Sequence, residues 1–209
     1  MTRLSRCLLV AAALSVGACS SLTGKREPFT TYAPRYAAPD ASGARVDWQL
    51  AIDTPLASDA LDTTRMLVMP TPGAIETYKG GRWADTVPMM LRGLLIQAFQ
   101  SSGRITGVGA SASGLHADYT LAIDLYDFET QYRDGVPHAV IRLNAKLTDA
   151  VLNRVAAART FESEAPVAGV QAADAAAAVE QTLNRLLPEI VGWTLDQGES
   201  AWSQRNTPS

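Results

Sequence analysis

The chain has 209 residues, of which 47% are hydrophobic and 19% are charged, and its formal net charge at pH 7 is −3. This hydrophobic fraction excludes an intrinsically disordered chain and is sufficient for one globular domain. The weakly acidic balance lacks the basic surface that nucleic-acid-binding proteins need, so we expect no nucleic-acid partner. Both cysteines, Cys7 and Cys19, lie in the first twenty residues, which leaves the rest of the chain without a thiol for catalysis, a disulfide or a metal.

The first twenty residues have the pattern of an export signal. Two arginines precede an apolar run from Leu8 to Leu14, and three small residues then lead into Cys19. The apolar run is too short to span a bilayer as a stable anchor. The pattern resembles a bacterial lipobox, in which a signal peptide, here residues 1–18, is removed and the cysteine becomes lipidated. An ordinary secretory signal with an incidental cysteine is the alternative.

The lipobox resemblance indicates where the protein works. We predict that Cys19 carries the lipid, with palmitate among its acyl chains, and that the protein faces the periplasm. Stable attachment generally needs more than one acyl chain, which a triacylated cysteine provides. Ser20 rather than an aspartate follows the cysteine. That choice resembles the enterobacterial sorting rule for the outer membrane, where we therefore expect the protein.

Composition divides the chain after the signal into three parts. Residues 19–45 contain several prolines, glycines and small polar residues with little apolar periodicity, which predicts a flexible tether behind the lipidated cysteine. A single domain is predicted over residues 46–198. Residues 199–209 are predicted to form a frayed tail.

Alternation of apolar and polar residues predicts six strands in this domain. They are residues 46–53, 65–70, 74–78, 119–125, 141–148 and 155–161. The third strand is expected to end at a Gly80-Gly81 turn, and the fourth is expected to reach the fifth through a turn at Arg133-Asp134-Gly135. Short connections between the last three strands favour an antiparallel meander.

Two amphipathic helices complete the predicted domain. One apolar stripe with helical spacing runs from Asp85 to Ser101, and another runs from Ala172 to Leu195. The element order is therefore β-β-β-α-β-β-β-α. The predicted fold class is α+β: a mainly antiparallel sheet of about six strands with two amphipathic helices packed on one face.

The sequence contains no recognisable catalytic or metal-binding motif. His116 and His138 are isolated, and no spacing of histidine, cysteine and carboxylates suggests zinc. Asp124 and Asp127 have an odd separation on one strand, which predicts opposite faces and argues against a paired acid and base. We therefore expect a protein that is not an enzyme and that uses no cofactor and no metal.

Two aromatic clusters are the candidate partner-binding sites. Their members are Tyr78, Arg82 and Trp83 beside two glycines before the first helix, and Tyr126, Phe128 and Tyr132 near a hairpin end. Tyrosine, tryptophan and arginine are enriched at interaction hot spots. The alternatives are that Trp83 fills a gap between helix and sheet with Arg82 stacked over it, and that the second cluster covers an exposed end of the sheet.

The order of several segments along the chain indicates a resemblance to a known family. They are the lipobox, Arg82-Trp83-Ala84-Asp85 opening a helix, the hairpin from Tyr126 to Gly135, and the strand segments Ala145–Asp149 and Ala158–Phe161. Together they resemble the ABC-type transport auxiliary lipoprotein family, which includes the paraquat-inducible lipoprotein C group. The resemblance covers residues 46–194. Members of that family are similar in being periplasm-facing lipoproteins encoded with MCE-domain proteins, which form lipid conduits between the inner and outer membranes.

The resemblance implies an accessory role. The protein would be an outer-membrane anchor or docking component of an MCE-type ABC system for phospholipid or other lipids, with an MCE-domain protein as its partner. Two alternatives remain open at this point. The domain could itself be a lipid carrier that binds phospholipid between sheet and helices, or it could be a structural envelope lipoprotein unrelated to transport. The identity of the lipid and the formation of a homo-oligomer also remain open.

Overall fold

A computed structural model describes residues 28–40 and 43–206, so the signal peptide and Cys19 lie outside the described residues. The described residues form eight strands and two α-helices. They are β1 (Thr30–Tyr32), β2 (Leu50–Ile52), β3 (Arg65–Met69), β4 (Glu76–Trp83), α1 (Val87–Ser101), β5 (Val108–Ala110), β6 (Tyr119–Arg133), β7 (Val136–Asp149), β8 (Arg154–Pro166) and α2 (Ala172–Asn206). The predicted α+β class is confirmed. Within the described ranges, no helix is long and apolar enough to cross a bilayer.

Three long antiparallel strands form one half of the sheet. β6 pairs with β7 along its whole length, and β7 pairs with β8. Asp134 and Gly135 connect β6 to β7 with φ values of 52° and 78°. Two left-handed residues give the connection a twist that matches the twist of the flanking strands. The predicted meander and its turn are confirmed, and the strands extend beyond the segments with clear alternation.

The other edge of β6 carries two separate groups of strands, so the sheet forks there. Near the start of β6, β2 pairs with it in parallel and β5 follows β2. Near the end of β6, Val68 of β3 pairs in parallel with Thr130, and β4 and β1 extend that arm. The sheet is therefore mixed: its long pairings are antiparallel as expected, its short ones are mostly parallel, and it has eight strands where about six were expected. Alternation within one strand indicates its buried face but not the direction of its neighbour.

β4 continues through the two glycines at which a turn was expected. Gly80 has a φ of 69°, and the pairing between β3 and β4 is irregular beside it, because Arg65 lies opposite Arg82 but Leu67 lies opposite Thr77. A Cβ atom on Gly81 would lie 3.0 Å from Sδ of Met66 and would collide with Ala172 at the start of α2. The missing side chain at Gly81 therefore lets the helix approach the strand.

The N-terminal part of the described chain is built into the domain. β1 lies at the edge of the sheet, parallel to β4. The chain then crosses α2, where Ala37 donates its N–H to Oδ1 of Asn184 at 2.7 Å and Nδ2 of Asn184 donates to the Arg35 carbonyl at 2.9 Å. The tether predicted over residues 19–45 therefore does not extend over residues 28–40. Backbone hydrogen bonds hold this segment, and a composition-based prediction does not detect them.

α2 continues to Asn206, beyond the predicted end at Leu195, and includes most of the tail that was expected to fray. Its last turn is fixed by Arg205, whose Nη1 lies 3.2 Å from Oδ2 of Asp149 and whose Nη2 lies 3.6 Å from Oδ1 of Asp118. Asp149 is only 3% exposed. The ion pair joins residues far apart in the chain, so helical periodicity alone did not reveal where the helix ends.

The two helices pack against each other and against the sheet, and a single hydrophobic core joins all three. Its fully buried members include Leu91, Leu95 and Phe99 from α1, Leu186, Leu187 and Ile190 from α2, and Leu121, Leu143 and Leu147 from the sheet. The residues that alternate with them on β7 are polar, including Arg142, Asn144 and Lys146. The apolar stripes predicted for both helices are therefore confirmed as core positions.

The contact between α2 and Trp48 predicts opposite effects for two glycines of the same helix. A Cβ on Gly198 would lie 2.7 Å from Cη2 of the buried Trp48 ring, whereas a Cβ on Gly192 meets nothing within 4 Å. We expect G198A to lower the free energy of unfolding by about 1–3 kcal/mol through overpacking. G192A should raise it by about 0.5–1 kcal/mol through helix propensity. Urea unfolding measures both, and a stabilising G198A would contradict the packing described here.

Candidate functional site

Two of the six predicted partner-binding residues are inside the core. Trp83 is 3% exposed and Phe128 is 1% exposed, and their rings meet edge to face with centroids 5.9 Å apart. Neither side chain can therefore form part of a contact surface in the folded protein, which corrects that expectation. Trp83 fills the core, as the alternative reading proposed, but Arg82 is the preceding residue on the same strand and points to the opposite face.

The other residues of the first cluster separate on the surface. Arg82 is exposed, and its Nε donates to Oγ1 of Thr31 on β1 at 3.2 Å. Tyr78 instead lines a groove of about 380 Å³ together with Tyr132 from the second cluster and Val170 before α2. Burial raises the pKa of the Tyr78 hydroxyl. The structure thus brings together two tyrosines that are distant in sequence and leaves Arg82 at the edge next to β1.

The remaining candidate, Tyr126, occupies a β-bulge on β6. Leu125 lies opposite Leu143 and Asp127 lies opposite Arg142, so Tyr126 is the extra residue between the two pairs. Tyr126 is 45% exposed, and the centroid of its ring lies 5.1 Å from the guanidinium carbon of Arg142.

The bulge also corrects the prediction for the two aspartates of this strand. The extra residue reverses the alternation, so Asp124 and Asp127 share one face. Each is engaged by a cation: Nζ of Lys146 lies 2.5 Å from Asp124, and Nε of Arg142 lies 2.5 Å from Asp127. The hydrogen bond that Arg142 donates to Asp127 raises the pKa of Arg142. The pair therefore acts as a cross-strand ion-pair ladder on the polar face of the sheet.

Glu129 lies next to a predicted aromatic residue but was not itself predicted as a site residue, and it lies at the fork of the sheet. On the forked edge of β6, Leu56 forms a bridge to Asp124, and β3 pairs with the strand at Thr130. No described strand pairs with this edge between those two residues. Glu129 fills this gap: its Oε2 accepts the Phe128 N–H at 2.7 Å, and its Oε1 accepts Nε2 of Gln131 at 2.7 Å. Nothing in the local sequence distinguishes this residue, because its environment is created by strands that arrive from elsewhere.

Glu129 is a buried carboxylate beside a small cavity. It is 7% exposed, and burial raises its pKa. The cavity has a volume of about 80 Å³, and its other walls include Leu61, Leu67, Ile75 and Tyr126. Ile75 and Tyr126 are 54% and 45% exposed, so apolar side chains surround the opening. The arrangement can present one carboxylate to a small group that enters between apolar side chains.

The two histidines of the sequence stay apart in the fold. His116 is exposed, and Nδ1 of His138 lies 3.1 Å from the Val136 carbonyl. Among residues 28–40 and 43–206, no three His, Cys, Asp or Glu side chains form a group that could hold a metal ion.

The raised pKa of Glu129 predicts a pH dependence of stability. The folded state keeps the Glu129 proton above the ordinary glutamate pKa of 4.5, so the free energy of unfolding falls as the pH rises from 4.5 through the raised pKa. In E129Q the free energy of unfolding should therefore change less with pH. Urea unfolding between about pH 4 and pH 8 measures this dependence. Glu76→Gln, at the exposed end of β4, is the matched control because it also removes one carboxylate. Equal slopes for the wild type and E129Q would contradict the assignment.

The chain is similar to known proteins over most of its length. The model of the family described as ABC-type transport auxiliary lipoprotein component matches residues 30–191. A Bradyrhizobium diazoefficiens protein of uncharacterized function is 33% identical over 147 residues, which cover 70% of this chain and 39% of that protein. The chain therefore spans about two fifths of the length of this relative.

Two solved structures are similar to this chain. The crystal structure of a Xanthomonas campestris protein of the DUF330 family is similar with a TM-score of 0.79 and 39% identity, covering 83% of this chain and 99% of that one. A second crystal structure, of an uncharacterized protein, shares the fold with a TM-score of 0.57 and 18% identity, over 85% of this chain and 99% of that one. The family match begins at the first residue of β1 and ends within α2. The chain therefore belongs to the ABC-type transport auxiliary lipoprotein component family.

Proposed function

We propose that this protein is a lipid-anchored, periplasm-facing accessory subunit of an ABC-type lipid transport system, and that it docks the MCE-domain component of that system at the outer membrane. The observation that carries the proposal is the family match over residues 30–191. The lipobox-like run that ends at Cys19 lies N-terminal to the matched residues and supports the membrane attachment. In this role the protein works through contacts rather than through catalysis.

The position of β1 supports a docking role close to the membrane. Eleven residues, from Cys19 to Phe29, precede β1 at Thr30. At about 3.3 Å per residue their greatest possible reach is about 36 Å. A tether that continued to residue 45 would allow more than twice that reach. A lipid on Cys19 would therefore keep the edge formed by β1 and β4 within a short, limited distance of its bilayer.

The packing between helices and sheet favours contacts over lipid carriage. The apolar stripe of α1 is buried against the core at Leu91, Leu95 and Phe99, each 0% exposed. Leu187 and Ile190 of α2 are also 0% exposed and belong to the same core. These side chains are the ones that would have lined a carrier pocket, and in this fold they pack against one another. The exposed aromatic and apolar groups are therefore the better basis for a function.

The proposed anchor predicts that the two cysteines behave differently. C19A should abolish incorporation of labelled palmitate and shift the protein from the membrane fraction to the soluble fraction, because no acyl chain is attached. C7A is the matched control, since residue 7 lies in the predicted signal peptide and should leave labelling and fractionation unchanged. Undiminished labelling of C19A would contradict the proposed anchor.

The proposed partner predicts a specific recovery from membranes. Tagged full-length protein, purified after mild detergent extraction, should co-purify with an MCE-domain protein that mass spectrometry identifies. C19A extracted in the same detergent is the matched control for recovery that depends on the anchor. If the wild type recovers no MCE-domain protein while other envelope complexes survive the extraction intact, the proposed function is wrong.

A further inference from the structure

The cavity at the sheet fork has the features of a receptor for one basic side chain. We propose that it holds a lysine or arginine side chain of a protein partner, with Glu129 as the counter-ion and with Ile75 and Tyr126 as an apolar rim. The inference rests on the proposed function only in that it requires a protein partner. It names a site and a chemistry for that contact.

The first support is a buried carboxylate without a cation. Both oxygens of Glu129 accept hydrogen bonds from neutral donors, and no described Lys, Arg or His lies within ion-pair distance of it. The cation that acts on it electrostatically is Arg142, which is already bound to Asp127 and lies over the Tyr126 ring. A buried carboxylate is costly unless it is paired. A cation that entered the cavity would supply the missing partner.

The second support is the size and lining of the cavity. A volume of about 80 Å³ accommodates an ammonium or guanidinium group with part of its stem. Pockets for larger ligands measure about 300–1,000 Å³, so an acyl chain does not fit. Lysine and arginine pack their methylene stems along apolar surface while the charged end reaches a polar group. Ile75 and Tyr126 provide that surface at the opening, and Glu129 provides the polar group at its base.

The third support is the charge around the opening, which favours a protein over a lipid. Ser58, Ala60 and Leu61 line the cavity, and the loop that contains them also carries the exposed carboxylates of Asp59 and Asp62. Asp127 forms a further part of the wall, where Arg142 balances its charge. A phospholipid amine headgroup carries a phosphate beside its ammonium, and the carboxylates of Asp59 and Asp62 would repel that phosphate. A lysine or arginine side chain brings the cation alone.

A peptide titration tests the site directly. The probes are acetyl-Leu-Lys-Leu-amide and its norleucine counterpart, titrated into full-length protein in detergent micelles and followed by the amide resonances of Phe128 and Gln131. We expect the lysine peptide to bind at least roughly tenfold more tightly, because a charge-assisted hydrogen bond forms only with lysine. E129Q should bring the two peptides within about twofold of each other. Equal binding of both peptides to the wild type would overturn the proposal.

A rim variant keeps the test decisive if E129Q does not fold. Ile75→Ser changes a side chain that is 54% exposed and should weaken the lysine peptide several-fold. Val155→Ser, at a position 57% exposed on β8 and outside the lining of this cavity, is the matched control and should bind like the wild type. Displacement of the lysine peptide by an equal concentration of phosphoethanolamine would overturn the choice of a protein side chain over a lipid headgroup.

Recovery from membranes separates this inference from the proposed function. Loss of the MCE-domain protein with E129Q or Ile75→Ser, but not with Val155→Ser, would support both. Unchanged recovery with all three variants would overturn the cavity as the docking site and leave the proposed function standing. If the wild type selects the lysine peptide but recovers no MCE-domain protein, the proposed function fails and the basic-side-chain site stands.

Discussion

The backbone hydrogen bonds of β6 hold the described structure together. One edge pairs with β7 along the whole strand, and the other edge is divided between β2 near its start and β3 near its end. β2 brings β5 into the sheet, and β3 brings β4 and β1. Two short strands that share one edge leave a gap, and backbone groups in a gap still need partners. Glu129 accepts the Phe128 N–H there, so the fork also explains why a carboxylate is buried at this point.

The arm formed by β3, β4 and β1 links the fold to the proposed membrane anchor. β1 is its outer strand, and Cys19 lies eleven residues before Thr30 in the sequence. The same arm supplies Ile75 to the opening of the cavity, immediately before β4. A short reach from the proposed anchor would limit the distance between the bilayer and a partner docked on this arm. The anchor and the binding surface would then work as one unit.

Elements with strong periodicity were predicted well, because periodicity reports which face of an element is buried. The meander of β6, β7 and β8 and both helices followed from apolar spacing alone. The parallel partners of β6 and the pairing of β1 with β4 did not, since they depend on residues far apart in the chain. At the candidate site, Tyr126 was predicted and is exposed, whereas Trp83 and Phe128 were predicted and are buried. An aromatic residue type fits an interface and a core equally well.

The sequence by itself determined the α+β class, the order of the long elements, the lipobox-like segment and the resemblance to the family that the comparisons confirm. These properties depend on local spacing and residue type, which can be read from the chain without knowing which distant segments become neighbours. Only the tertiary structure decided the fork of the sheet, the shared face of Asp124 and Asp127, and the burial of Glu129. The extra residue at the bulge places both aspartates on one face, and the unpaired length of strand edge leaves the gap in which Glu129 is buried. Both features depend on which strands become neighbours. That choice is made by long-range hydrogen bonding and packing, so no local pattern could have shown it.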